Sequence, residues 1–264
     1  MAALEYHRPK TISEALSLLK QGVPLAGGTI LTPNRRGLRA VVDLQDLGLN
    51  AFEIRADDFA FGAMVSLQAL VEAADRLPAA LVAACRLEAG WNIRNQATLG
   101  GTVASADGRS PLLTTLLAMG AELELAPEGM RASLDELLET GGSRTQDRPF
   151  GLAQGKLMTA IHVRRPERLA YEQVARSPAD RPLVCAAAAL FDRAQKVRVA
   201  LGGFGSRPIL VDRGEDGLEG TLERAGNAAQ AAYSRAADAW AGAEFRSAVA
   251  DTLVRRVVSE VLTG

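Results

Sequence analysis

Ala26-Gly27-Gly28-Thr29 and Thr98-Leu99-Gly100-Gly101-Thr102 share one grammar: a glycine pair that follows a segment able to bring the chain to a turn, closed by a hydroxyl residue. Paired glycines let backbone N–H groups approach a bulky anion with no Cβ in the way, and they permit positive φ. Successive exposed amides form an anion-binding concavity, commonly beside a helix N-terminus. Two such segments in one chain point to a ligand with two phosphates, gripped from both sides, and a dinucleotide fits that description. A third pair, Gly202-Gly203, reads as the end of a strand.

Outward from the first pair, residues 11–20 place Ile12, Ala15, Leu16 and Leu19 at helical spacing, and residues 23–26 read as a short buried strand entering the turn. Residues 40–44 give a further strand. This order predicts a small α/β unit with the glycine turn at a strand's carboxyl end, where such sheets bind ligands. Residues 52–54 and 59–62 alternate like paired strands, Ser66 opens a helix, and residues 78–87 are helical and end near Gly90. Beyond the second pair, residues 111–119 read as a helix and 121–125 and 158–163 as strands. Residues 141–151, rich in Gly and Arg, are expected to form a flexible loop. A boundary is expected near Arg164-Arg165-Pro166, followed by strands at 184–191 and 197–201. In the final helix Phe245, Val249, Leu253, Val257 and Leu262 share a face.

The chain has 264 residues, 48% hydrophobic and 23% charged, enough for one large or two ordinary globular domains. A formal net charge of -1 gives no electrostatic reason to expect nucleic acid or an anionic membrane as partner. No apolar run approaches a membrane span and the N-terminus lacks signal-peptide order, so a cytoplasmic location is expected. Cys85 and Cys185 stand apart beside alanines and read as reduced packing residues. His7 and His162 are the only histidines, and neither sits in a Cys, Asp or Glu cluster. A zinc site, an iron–sulfur cluster within the chain or a His-based triad is therefore not expected, and a bound organic cofactor must carry any difficult chemistry.

The stretch Ile93-Arg94-Asn95-Gln96-Ala97-Thr98-Leu99-Gly100-Gly101-Thr102 resembles the Ile-Arg-Asn-x-x-Thr-Ile-Gly-Gly-Asn signature of the FAD-binding medium subunits of molybdenum hydroxylases, the xanthine dehydrogenase and aerobic carbon monoxide dehydrogenase group. Ala26-Gly27-Gly28-Thr29-Ile30-Leu31-Thr32-Pro33 is similar to that family's first flavin loop. Val42-Asp43-Leu44, Phe61-Gly62-Ala63, Tyr171, Arg176-x-x-x-Asp180, Ala200-Leu201-Gly202-Gly203 and Ala243-Glu244-Phe245-Arg246 extend the resemblance over nearly the whole chain. It implies an α+β fold: a two-lobed FAD-binding domain over residues 1–165 (lobes about 1–55 and 56–165), then a smaller α/β C-terminal domain over 166–264. It also implies noncovalent FAD in the cleft between the lobes, its pyrophosphate against both glycine segments.

By that resemblance the cofactor-binding residues are Ala26, Gly27, Gly28, Thr29, Ile30, Leu31 and Arg36 on one side, and Thr98, Gly100, Gly101, Thr102, Ser105 and Asp107 on the other. Asp180 of the C-terminal domain joins them. No residue is assigned a catalytic or metal-binding role. The chain departs from the family pattern at Ile30, Thr102 and Pro111, and Asp107 stands in for a carboxylate that relatives place at Pro111. The implied function is electron transfer in a hetero-oligomer. A partner with [2Fe–2S] clusters delivers electrons, a molybdopterin subunit oxidises the substrate, and the flavin passes electrons to an acceptor. Two alternatives stand beside it: a structural subunit that has lost flavin binding, and a stand-alone flavin oxidoreductase. Trp91 is read as a core residue, and Arg94 and Asn95 as pins that bond the backbone near the second glycine pair.

Overall fold

The computed structural model describes residues 4–34, 36–140, 156–191 and 195–264, and three sheets organise them. The first is a parallel sheet in which β1 (Glu5–His7) and β2 (Val23–Leu25) flank β3 (Ala40–Asp43), with α1 (Ile12–Leu18) crossing between β1 and β2. The second contains β4 (Phe52–Ile54), β5 (Asp58–Gly62), β6 (Glu122–Ala126), β7 (Met130–Ser133) and β8 (Leu157–Arg164), in the antiparallel order β4-β5-β8-β6-β7. Between β5 and β6 run α2 (Leu67–Glu72), α3 (Ala79–Glu88), α4 (Trp91–Gln96), α5 (Leu99–Ser105) and α6 (Pro111–Ala118), and α7 (Leu134–Thr140) follows β7. The third sheet is antiparallel and ordered β12-β11-β10-β9: β9 (Arg168–Val174), β10 (Val184–Phe191), β11 (Lys196–Gly202) and β12 (Ile209–Asp212). Helices α8 (Thr221–Ala232) and α9 (Ala243–Thr263) pack on it. Among the described residues no helix is long and apolar enough to cross a membrane.

Every residue of β10 is buried, because the strand has protein on both faces. Side chains alternate across a strand, so Ala187, Ala189 and Phe191 join the core of the second sheet and its helices. Val184, Ala186, Ala188 and Leu190 join the core beneath α8 and α9. Small alanines let helices approach from both sides. On the inner side comes α6, itself buried at all eight positions. A helix buried all round must be apolar all round. Its two threonines comply by returning their hydroxyls to the helix backbone, Thr114 to the Ser110 carbonyl at 2.8 Å and Thr115 to that of Pro111 at 2.9 Å.

The last helix keeps Leu253 and Val257 of its expected apolar stripe inside, with Val249 and Leu262 packed against the same core, and departs from it in the first turn. Phe245 is 45% exposed, while Arg246 is fully buried, with Ala250, Leu253, Val254, Val257, Val258 and Val261 completing the inner face. The reason is pairing. The Arg246 guanidinium reaches both carboxylate oxygens of Asp238 at 2.9 Å and lies 4.8 Å from the centroid of the Phe204 ring. The expected loop at 141–151 lies outside the described residues.

An ionic junction ties α7 to the third sheet. Asp135 accepts from the Ser133 hydroxyl and pairs with Arg213, and Arg198 of β11 lies 3.8 Å away. Burial pushes the Asp135 carboxyl up, but Ser133 and the two guanidiniums outweigh it and hold the group below its ordinary value. A depressed native pKa contributes stability that is present above the unfolded value, near 3.9, and lost as pH falls through the native one. Asp135→Asn is therefore expected to cost about 1–2 kcal/mol at neutral pH, because Arg213 is partly open to solvent. It should also remove part of the acid-induced loss expected of the wild type below about pH 4. Melting curves from acid to neutral pH check this; parallel acid loss in both proteins would exclude Asp135 as a contributor.

Candidate functional site

At the end of β2 the chain leaves the carboxyl edge of the parallel sheet and turns through residues 26–31. Gly28 adopts φ +70°, which favours glycine. The turn is closed by Thr32 N–H donating to the Gly28 carbonyl at 2.9 Å and by the Asn34 side-chain amide donating to the Ile30 carbonyl at 2.8 Å. The amides of Gly27, Gly28, Thr29, Ile30 and Leu31 find no acceptor among the described residues. Consecutive unpartnered donors on a partly exposed turn are the makings of an anion nest.

The second glycine pair is not an open loop. It lies inside α5, whose N-cap Thr98 accepts from Gly101 N–H at 3.1 Å. The Leu99 amide donates to the Val65 carbonyl and that of Gly100 to Ala63, both at 2.8 Å, while the Thr102 amide donates to Thr98 at 2.9 Å. Glycine is needed here for close approach. A Cβ on Gly100 would lie 2.7 Å from the Ala63 carbonyl oxygen, and one on Gly27 only 1.7 Å from that of Gln96. A Cβ on Gly101 would in turn sit 3.9 Å from that of Ala26. The two stretches are thus interlocked, and the positive end of α5 stands beside the five free amides.

Downstream of α5 the chain turns sharply. Ser105 donates to the Thr102 carbonyl at 2.7 Å, and Ala106 adopts the left-handed region at φ 46°. Asp107 accepts from the Arg109 amide at 2.9 Å and faces Arg181 at 3.2 Å. Asp180 pairs with Arg176 at 3.5 Å within the segment between β9 and β10, the same segment whose Arg181 meets Asp107. Arg36 lies exposed on the turn after the first glycine pair, apart from the other candidate residues. Ile30 is 52% exposed.

Trp91, expected in the core, is 64% exposed on α4, a helix with no buried residue. The rest of that helix is held by polar bonds. Arg94 donates to the carbonyls of Arg86 and Ala89 at 3.0 and 2.8 Å, and the Asn95 amide to that of Trp91 at 2.8 Å. Tyr171 donates its hydroxyl to Gln173 at 2.7 Å.

Sequence reasoning missed Glu88. Its carboxylate is buried and accepts from the Ser110 hydroxyl at 2.7 Å, the Leu112 amide at 3.1 Å and Arg181 at 3.0 Å. Burial pushes this carboxyl up, against the pull of Arg181, Ser110 and Leu112. A signal existed: Glu88 stands three residues after Cys85 and seven after Leu81, on the inner face of an apolar helix.

Two family descriptions match the chain: the FAD binding domain in molybdopterin dehydrogenase over residues 2–165, and the CO dehydrogenase flavoprotein C-terminal domain over 169–261. The chain belongs to this flavoprotein family. It is 30% identical over 281 residues to the carbon monoxide dehydrogenase medium chain of Afipia carboxidovorans, covering 97% of this chain and 96% of that one. It is also 30% identical over 282 residues to the nicotine 6-hydroxylase medium subunit of Paenarthrobacter nicotinovorans, covering 98% of each. The fold matches that of reconstituted CO dehydrogenase from Oligotropha carboxidovorans with a TM-score of 0.82 at 27% identity, over 98% of this chain and 97% of that one. Members of the family are oxidoreductase subunits, and this one is an α+β flavoprotein with an FAD-binding domain.

The glycines divide by role. Gly27→Ala and Gly100→Ala each drive a Cβ into backbone and should cost about 1–3 kcal/mol of stability. Gly101→Ala meets only the Thr98 hydroxyl, at 2.9 Å, and should cost less. Thermal melts of the three variants check the order; equal losses would deny the interlock.

Proposed function

We propose that the chain binds one FAD noncovalently and works as the electron-transfer medium subunit of a molybdenum hydroxylase-type complex. The observation that carries this reading is the run of five unpartnered amides from Gly27 to Leu31, set against the N-terminus of α5. That donor set fits a pyrophosphate: it is neutral, preorganised and reinforced by a helix end. Ala26, Gly27, Gly28, Thr29, Ile30 and Leu31 would hold one side, with Arg36 adding charge. Thr98, Gly100, Gly101, Thr102 and Ser105 would line the other side as the wall packed against that run, since the amides from Leu99 to Thr102 already have protein acceptors. Asp107 and Asp180 supply carboxylates able to accept from hydroxyl groups of the ligand. In this reading residues 1–165, with lobes 1–55 and 56–165, form the cofactor unit, and 166–264 flank it.

Bound there, FAD supplies redox chemistry in one- and two-electron steps. The chain's own residues bind and orient it. Cys85 and Cys185 are both buried and free, so the electron donor belongs on another polypeptide. The medium-chain relatives support a complex with an iron–sulfur subunit carrying [2Fe–2S] clusters and a molybdopterin subunit. The setting is cytoplasmic, with no nucleic acid or membrane insertion involved.

Purified chain, alone or reconstituted with FAD, is expected to show a flavin absorption spectrum and to release the cofactor intact on denaturation. Gly28→Val should lower flavin occupancy more than melting temperature, because a branched residue strains a φ of +70° within the amide run. A protein that stays colourless after incubation with FAD would point to a purely structural subunit.

A further inference from the structure

We infer that Arg181 is a positioning residue of the proposed FAD site, tying Asp107 to the buried carboxylate of Glu88 and so setting the turn that borders the cofactor. The inference rests on the FAD reading and deepens it.

A single amino group of Arg181, Nη1, lies 3.0 Å from Glu88 and 3.2 Å from Asp107. It thereby bridges the end of α3 and the turn after α5, from a segment that belongs to the third sheet. The lacing runs in both directions. Arg109 donates from the turn to the carbonyls of Arg181 and Pro182 at 2.9 and 3.0 Å. Gly203 N–H donates to the Gly108 carbonyl at 2.7 Å, and a Cβ on Gly108 would fall 2.4 Å from the Gly205 carbonyl oxygen.

The turn needs such support. Ala106 is a non-glycine residue in the left-handed region, a conformation that persists only where its surroundings over-determine it. The helix entering this turn is the one that abuts the free amides, so Asp107 stands at a fixed place relative to them.

Arg181 has two separable effects. It compensates the buried charge of Glu88, and it orients Asp107. Glu88 has two further donors, Ser110 and Leu112, which a glutamine carbonyl at the same place could also use. Replacing Glu88 by glutamine therefore removes the need for compensation and leaves only the orientation of Asp107 at stake.

The test uses the full chain freed of flavin. FAD affinity is read from quenching of flavin fluorescence, well below all melting temperatures, and stability from melts without FAD. Arg181→Met should lower both. Adding Glu88→Gln should return most of the stability while FAD binding stays weaker by about tenfold or more. Arg181→Lys should recover most of the affinity. Asp107→Asn, which leaves the Arg181–Glu88 pair in place, should lose affinity by a similar factor. Wild-type affinity in either the double variant or Asp107→Asn overturns the inference while the FAD reading stands. Failure of the wild-type chain itself to bind FAD takes down both.

Discussion

The architecture depends on one constraint: β10 has no free face. A strand covered on both sides must carry side chains small enough for two helices to close on it, and four consecutive alanines from Ala186 to Ala189 meet that demand. The alternation sends Ala187 and Ala189 into one core and Ala186 and Ala188 into the other. What looks in sequence like two domains is, at this strand, a shared wall. Helix α6 is buried for the same reason, and its N-terminus receives Glu88, Ser110 and, through Glu88, Arg181. The polar junction beside the candidate site is thus placed by an apolar packing requirement.

Within each glycine pair the two residues have different tasks. Gly27 and Gly100 are glycine because another backbone stands where a side chain would be. Gly28 is glycine because of its backbone angle, and Gly101 lies on the open side of the helical turn. This division explains how one short motif can both hold a fold together and leave donors available.

Most strands and long helices were legible in the sequence: alternation marks β5, Ala- and Leu-rich composition marks α3, and short continuous apolar runs mark β10 and α6, which are buried on every side. The helix α5 was not. Each interior glycine costs a helix roughly 1 kcal/mol relative to alanine, and the pull toward helix comes from Thr98 and from contact with residues 63–65, which no local window contains. Trp91 and Phe245 were misplaced because size and hydrophobicity outvoted context; Arg246 took the inner position through its pair with Asp238. At the candidate site the glycine segments announced themselves, whereas the Arg181–Glu88 contact joins residues 93 positions apart. Only the fold reveals it.

The shared wall at β10 also bears on how a ligand could come and go. A hinge between the two halves would have to peel α6 from an alanine face and expose both cores at once, an opening far costlier than the loosening of a partly exposed turn. Under the proposed reading, exchange at the amide turn would draw on local loosening of residues 26–31, which are held by the bonds of Thr32 and Asn34 and by the close packing of Gly27 against Gln96. The residence time of a bound molecule would then follow the stability of one six-residue turn more closely than the global stability of the protein.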